Sequence, residues 1–216
     1  MSRPYLIGLT GNIACGKSTV LRELRRLGAA VLDADAVAHD VMRAGTPVHR
    51  AIVEAFGDSI LAASGEIDRR ALGKIVFSDP EALARLEAIV HPAVLQEARQ
   101  WLEGVKARVA VIDAIKLFES GIADWCDEVW VVTCPEEEQL RRLVECRGLS
   151  PEEASTRIRA QPPQAEKVAR ADRVIENSGS LDDVRACVRA AWRGLRKQGR
   201  MRKAQREIAE RLKGDA

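Results

Sequence analysis

Short apolar runs alternate along this chain with segments whose apolar residues recur every three or four positions. Residues 5–10 (YLIGLT) form a run that reads as a buried parallel strand. Residues 19–27 (TVLRELRRL) put Val20, Leu21, Leu24 and Leu27 on one helical face. A second strand spans 29–32 and ends at Asp33. A third spans 109–112 (VAVI) and ends at Asp113. A fourth covers 129–133 (VWVVT), and a short fifth 173–176 (RVIE). Strands separated by helical patterns predict an α/β fold, a parallel five-stranded sheet with helices on both faces. Ligands of such folds sit beyond the carboxyl ends of the strands.

Two stretches exceed ordinary connections. Residues 36–102 are helical in pattern, with turn signals at Gly45-Thr46-Pro47 and Gly57-Asp58. The face Leu83, Leu86, Ile89, Val90 leads into His91-Pro92. An insert of this length is expected to cap the site. Residues 136–170 are polar and rich in cations: Arg141, Arg142, Arg147, Arg157, Arg159 and Lys167. The expected division is a core of residues 1–35 and 103–216, a lid at about 136–170 within it, and a helical acceptor-binding insert at 36–102. The basic, helical stretch 196–213 reads as a solvated face without a binding role.

The loop between the first strand and first helix carries the chemistry. Gly11-Asn12-Ile13-Ala14-Cys15-Gly16-Lys17-Ser18 fits G-x-x-x-x-G-K-[ST], the Walker A phosphate loop, in the required order strand, glycine loop, helix. Glycines allow special backbone angles and leave room for a phosphate. Loop N–H groups and the helix N-terminus attract anionic oxygens. Lys17 can reach the β/γ-phosphates, and the Ser18 hydroxyl can bind Mg²⁺. A nucleoside triphosphate is therefore the expected ligand.

The 216 residues suit one medium domain with insertions, and a hydrophobic content of 46% is ample for a core. Sparse aromatics, 4%, leave that core to Leu, Val, Ile and Ala. A net charge of +2 argues against a general nucleic-acid binder. No signal peptide and no membrane-spanning run is read. Five cysteines without a CxxC pair suit a reducing, cytoplasmic setting and neither a disulfide framework nor a zinc site. Cys15, near a helix N-terminus, is either a thiol of lowered pKa that a thiol reagent would find, or a small filler.

Asp33-Ala34-Asp35 follows a strand at the active edge. Phosphoryl transfer to a hydroxyl needs a carboxylate to orient the acceptor and take its proton, and groups to hold Mg²⁺. The alternative, a helix N-cap, suits Asp35 better than Asp33. Asp113 ends a strand of Walker B form, so it either coordinates Mg²⁺ through water or caps a loop. The arginines between 141 and 159 either meet charge on the transferred phosphoryl group or lace a helix surface with its glutamates. His39, His49 and His91 lack metal-ligand spacing, and His91 reads as a core or substrate-lining residue. A GTPase-type switch would need N-K-x-D and D-x-x-G, and neither is present.

Taken together, LTGNIACGKST (9–19), LDADAVAH (32–39), His91-Pro92, LFESG (117–121), RGLSPEEA (147–154), Gln161 and ADRVIENSGS (171–180) resemble the dephospho-coenzyme A kinases. The resemblance spans roughly residues 5–190. It implies a three-layer P-loop NTPase-type fold, with ATP and Mg²⁺ phosphorylating the ribose 3′-hydroxyl of dephospho-coenzyme A. It further implies a catalytic set of Asp33, Lys17, Arg142 and Arg147, with Asp33 as base. ATP would lie on Gly11 to Thr19, that is Gly11, Asn12, Ile13, Ala14, Cys15, Gly16, Lys17, Ser18 and Thr19, with Asn177 at the base. The acceptor would lie on Asp35, His39, His91, Leu117, Phe118, Glu119, Arg157 and Gln161, and the metal on Ser18 and Asp113. The partners would be these small molecules, in a monomer or small homo-oligomer with no nucleic acid or membrane. A P-loop kinase for a nucleoside or nucleotide is the neighbouring alternative. Two departures stand out. Ile115-Lys116 replaces a family Pro-Leu, and Cys146-Arg147 stands where the family has Arg-Asp.

Overall fold

The structure, a computed structural model, describes residues 3–195; the basic stretch 196–213 lies outside the described residues. Five parallel strands form one sheet: β1 (Tyr5–Gly11), β2 (Ala30–Asp33), β3 (Val109–Asp113), β4 (Glu128–Thr133) and β5 (Arg173–Glu176). Their spatial order is β2-β3-β1-β4-β5. Each strand sits within one residue of its expected place at either end. β3 and β4 are buried along their whole length, the mark of a parallel sheet covered on both faces.

Alternation along the strands sorts the core into two. On one face Ile7, Leu9, Val111, Trp130 and Val132 pack against Val20, Leu21 and Leu24 of α1 (Lys17–Arg26). The same cluster takes in Val184, Val188 and Ala191 of a helix described over residues 181–195. On the other face Leu6, Ala110, Ile112, Val129 and Val131 meet the helices between β2 and β3. Leu24 is fully buried, and truncating such a leucine to alanine costs about 2–5 kcal/mol.

Four helices join β2 to β3: α2 (Ala34–Val41), α3 (Pro47–Phe56), α4 (Arg69–Ser78) and α5 (Pro80–Gly104). Their starts are written in the sequence. Thr46, Asp68 and Asp79 accept backbone N–H groups as N-caps, and Pro47 and Pro80 are the first residues of α3 and α5. The 25-residue α5 is the spine on which α2, α3 and α4 pack. It runs through Pro92, which has no N–H to give the preceding turn. His49 is buried, its ring Nε2 bonded to the Gly65 carbonyl at 2.9 Å, so it is a structural histidine.

After β4 come α6 (Glu136–Arg147), α7 (Pro151–Arg159) and α8 (Gln164–Ala169). Gly148 closes α6 in the left-handed conformation, and a Ser150–Glu153 capping box opens α7.

One expected acceptor contact is corrected here. Leu117 is fully buried in the core, beneath Gly8, where an added Cβ would lie 2.8 Å from a Leu117 methyl. It packs the strand β1 from below and has no surface to offer a ligand.

Candidate active site

Everything chemical gathers at the carboxyl ends of β1, β2 and β3. Parallel register sets Asp33 directly beside Asp113, and Asp113 beside Leu9, two residues before the glycine loop. Neighbouring parallel strands lie about 4.8 Å apart, so the two carboxylates are lateral neighbours.

The glycine loop needs its glycines. Gly16 has φ +87°, and a Cβ there would stand 1.9 Å from the Asn177 amide nitrogen. At Gly11, φ +158°, a Cβ would stand 2.4 Å from the Val132 carbonyl oxygen. Side chains from distant elements clasp the loop. Asn177 is buried and donates from Nδ2 to the Cys15 carbonyl at 2.8 Å. Arg142 donates from Nη1 to the Ala14 carbonyl (3.1 Å), from Nη2 to the Asn177 carbonyl (2.9 Å), and from Nε to Glu138 (2.7 Å). The Ile13 N–H donates to Gln161 Oε1 at 2.6 Å, and Asn12 donates to the Pro162 carbonyl at 3.1 Å.

Lys17 extends from the first turn of α1 and pairs with Asp113. Burial pushes the Asp113 carboxyl up, and Lys17 opposes that push. Ser18, beside Lys17, is exposed. Asp33 is exposed too and is the N-cap of α2: its Oδ1 accepts the Ala36 N–H at 3.0 Å. That reverses the expected order of the pair, because the helix begins at Ala34 and Asp35 lies inside its first turn. Burial raises the Asp35 carboxyl, while Lys17 and the Ile115 N–H pull it down.

The fold of these residues and their order are those of known proteins. A family model described as dephospho-CoA kinase matches residues 5–183. A protein of Symbiobacterium thermophilum named dephospho-CoA kinase is 52% identical over 87% of this chain and 80% of its own length. One of Geobacter sulfurreducens, of the same name, is 48% identical over 87% of this chain and 96% of its own. The chain belongs to the dephospho-CoA kinase family.

Solved structures agree. TT1252 from Thermus thermophilus superposes with TM-score 0.79 at 40% identity, covering 90% of this chain and 99% of its own. The Campylobacter jejuni dephospho-CoA kinase gives 0.64 at 31%, covering 91% and 99%. A shikimate kinase from Acinetobacter baumannii, 18% identical with TM-score 0.52 over 90% of this chain and 94% of its own, shares the P-loop fold. As a member of the family, this chain is a kinase, a nucleotide-binding transferase of the final step of coenzyme A biosynthesis.

The kinase places its remaining expected residues unevenly. Thr19 caps back to the loop, its N–H donating to the Gly16 carbonyl at 3.0 Å. Arg147 and Arg157 are exposed at the ends of α6 and α7. Gln161, expected at the acceptor, has its side chain on the phosphate loop. His39 is exposed on the last turn of α2. Phe118 is half-buried under the Arg170 guanidinium, 3.9 Å from the ring centre. His91 is half-buried; burial pushes its imidazole down, with Glu87, Lys116 and Glu119 as charged neighbours. Lys116, the charge that replaces a family leucine, pairs with Glu87 of α5. Cys15 is fully buried, and burial raises its thiol to about 11, so it is a filler and no reactive thiolate.

One residue of the site escaped the sequence reading. Lys167 of α8 is buried, and its Nζ donates to the Ile115 carbonyl at 3.3 Å. Thr10 Oγ1 donates to the same carbonyl at 3.2 Å. Burial pushes the Lys167 ammonium down, while Glu119 holds it up; Lys17 and Asp35 also act on it. Its only sequence signal was membership of a cation-rich stretch.

Proposed function

We propose that Asp33 orients the ribose 3′-hydroxyl of dephospho-coenzyme A and takes its proton, while Lys17 and the glycine loop hold the ATP phosphates. The observation that carries this is the register of Asp33 beside Asp113, with Lys17 bonded across to Asp113. Oδ1 of Asp33 is committed to the α2 cap. Oδ2 is left to accept the hydroxyl proton, and the cap fixes its direction.

Mg²⁺ would be held by Ser18 and Asp113. The donors fit a hard cation: a hydroxyl and a buried carboxylate, with the negative charges of Asp33 and Asp35 close by. Among the described residues no three His, Cys, Asp or Glu side chains form a metal group by themselves, so the ion is expected to arrive with the triphosphate. When bound, it would neutralise charge on the β- and γ-phosphate oxygens.

Lys17 supplies a cation to the γ-phosphate on leaving Asp113. Lys167, buried above the Ile115 loop, supplies a second that needs no movement from solvent. Arg142 and Asn177 position the loop through its carbonyls. Arg147 and Arg157, exposed at the ends of the lid helices, are the cations able to swing in on closure. The acceptor would run from Asp33 and Asp35 past Phe118, Glu119 and His91 toward His39. Residues 36–102 would serve as its binding insert and about 136–170 as the lid. No described helix is long and apolar enough to cross a membrane, and all five cysteines are free. Both support a cytoplasmic enzyme, acting on small molecules as a monomer or small homo-oligomer.

An ADP-release assay with dephospho-coenzyme A, AMP, adenosine or no acceptor tests this reading. Turnover should depend on the acceptor and be fastest with dephospho-coenzyme A. ADP release at the same rate without acceptor would contradict it.

A further inference from the structure

A cluster of arginines lies at the end of the sheet that the reaction does not use. Arg22, Arg25 and Arg26 are exposed on one face of α1, spaced i, i+3 and i+4. The neighbouring helix of residues 181–195 presents exposed Arg189 and Arg193, with half-buried Trp192 beside them. Between the two helices lies a concavity of about 570 Å³, lined by Arg26, Leu27, Ala186, Arg189, Trp192 and Arg193. Lys17 opens α1 at the phosphate loop and Arg26 ends it, about 15 Å away along the helix. The concavity therefore lies at the amino ends of the strands, whereas ligands of such folds sit at the carboxyl ends.

These arginines differ from a helix surface laced with its own acids. On α6, Arg141 pairs with both Glu138 and Glu145. Among the described residues Glu23 is the one carboxylate that meets this cluster. It is buried, and takes Arg189 at 2.7 Å and Arg26 at 3.7 Å. Arg22, Arg25 and Arg193 pair with none of the described carboxylates. Net charge hides this separation. Residues 1–195 hold 26 Lys and Arg against 29 Asp and Glu, and residues 196–216 hold 8 against 3. The whole-chain value of +2, which points away from nucleic acid, averages a slightly acidic body with a basic stretch that follows Leu195 in the chain.

A row of phosphates suits separate, unpaired guanidiniums. The indole adds what charge alone does not, a flat face for a base, and a cationic groove with an aromatic face is the pattern of single-strand binding. A lipid surface fits less well, because it takes up apolar side chains. None of the exposed large hydrophobics, Phe77, Ile115, Val174 and Leu181, lines the concavity.

We propose that this face binds single-stranded nucleic acid, with a base on Trp192 and phosphates on Arg22, Arg25, Arg26, Arg189 and Arg193. The binding is separate from phosphoryl transfer and does not depend on the acceptor reading.

Fluorescence anisotropy of a labelled RNA of about 20 nucleotides tests it on the full chain, between about 50 and 200 mM salt. Wild type should bind with a Kd in the micromolar range or tighter at the lower salt, and weaken steeply as salt rises. Combining Arg22→Glu, Arg25→Glu and Arg193→Glu should weaken binding about tenfold or more and flatten the log–log salt slope by about 2. Trp192→Leu should weaken it about tenfold, and Trp192→Phe less than about threefold. Turnover of dephospho-coenzyme A should stay within about twofold of wild type in every variant, which checks folding. The arginine variant, altered only at the surface, decides the case if a Trp192 variant unfolds. No binding by wild type, or an unchanged Kd in the folded arginine or Trp192→Leu variant, would overturn the proposal. So would inorganic polyphosphate of equal charge binding as tightly as RNA, or phosphatidylglycerol vesicles binding where RNA does not.

Discussion

The phosphate loop and the helical insert of this kinase are built by different means. Around the phosphate loop, side chains from β5's end, from α6 and from the segment after α7 bond to loop backbone: Asn177 to Cys15, Arg142 to Ala14, Gln161 to Ile13. In the insert, helices α2 to α5 pack through Leu, Ile and Val and leave a cavity with an exposed phenylalanine at its mouth. A triphosphate is met by backbone N–H groups, whose direction must be fixed before it arrives, because preorganised donors cost no rearrangement during reaction.

Lys167, bonded to the Ile115 carbonyl, gives the largest expected change after Asp33. Lys167→Met should lower kcat more than tenfold, about 1.4 kcal/mol or more of barrier, if it meets the transferred phosphoryl group. Melting temperature should hold or rise, because a buried ammonium is replaced by an apolar chain of similar length. Full activity with a lowered melting temperature would make Lys167 a structural residue only.

Asn177→Ala should loosen the clasp and nothing on the acceptor side. The loss of a buried hydrogen bond to the Cys15 carbonyl costs about 1–3 kcal/mol. KM for ATP should rise severalfold while KM for dephospho-coenzyme A stays within about twofold. Equal rises in both would mean that the two sides are mechanically one.

The smallest effect is chemical labelling. With its thiol near 11, Cys15 is thiolate in about one molecule in a thousand at pH 8. Exposed Cys146 and Cys187 should react with iodoacetamide first, and Cys15 only on unfolding. Above pH 8 the Cys15 thiolate fraction rises about tenfold per pH unit toward 11. Rapid labelling of Cys15 at pH 7 in the folded enzyme would show that the loop opens readily.

What the chain reveals of itself divides along physical lines. The strands and the phosphate loop were legible because a buried parallel strand is a continuous apolar run, and because Gly11, Gly16, Lys17 and Ser18 have few other uses at that spacing. The neighbouring positions of Asp33 and Asp113 followed from strand ends. Which of Asp33 and Asp35 caps α2 was misread because a boundary two residues away decides it. The burial of Leu117 and Lys167 was not legible, and for Cys15 the sequence left a small filler beside a reactive thiol. Each is covered by elements distant in sequence: Leu117 by β1, Cys15 by β4 and β5, Lys167 by the loop after β3. Gln161 was legible as a site residue, but only the docking of the segment after α7 on the loop gives it a partner.

The central claim is that Asp33 serves the acceptor and not the nucleotide. Asp33→Asn keeps the side chain's shape and its capping oxygen. It should lower kcat about 10²–10⁴-fold with dephospho-coenzyme A saturating, while the Kd for ATP, measured by calorimetry with Mg²⁺ present, changes less than about threefold. A collapse of ATP binding in the variant, or a kcat close to that of wild type, would contradict the account.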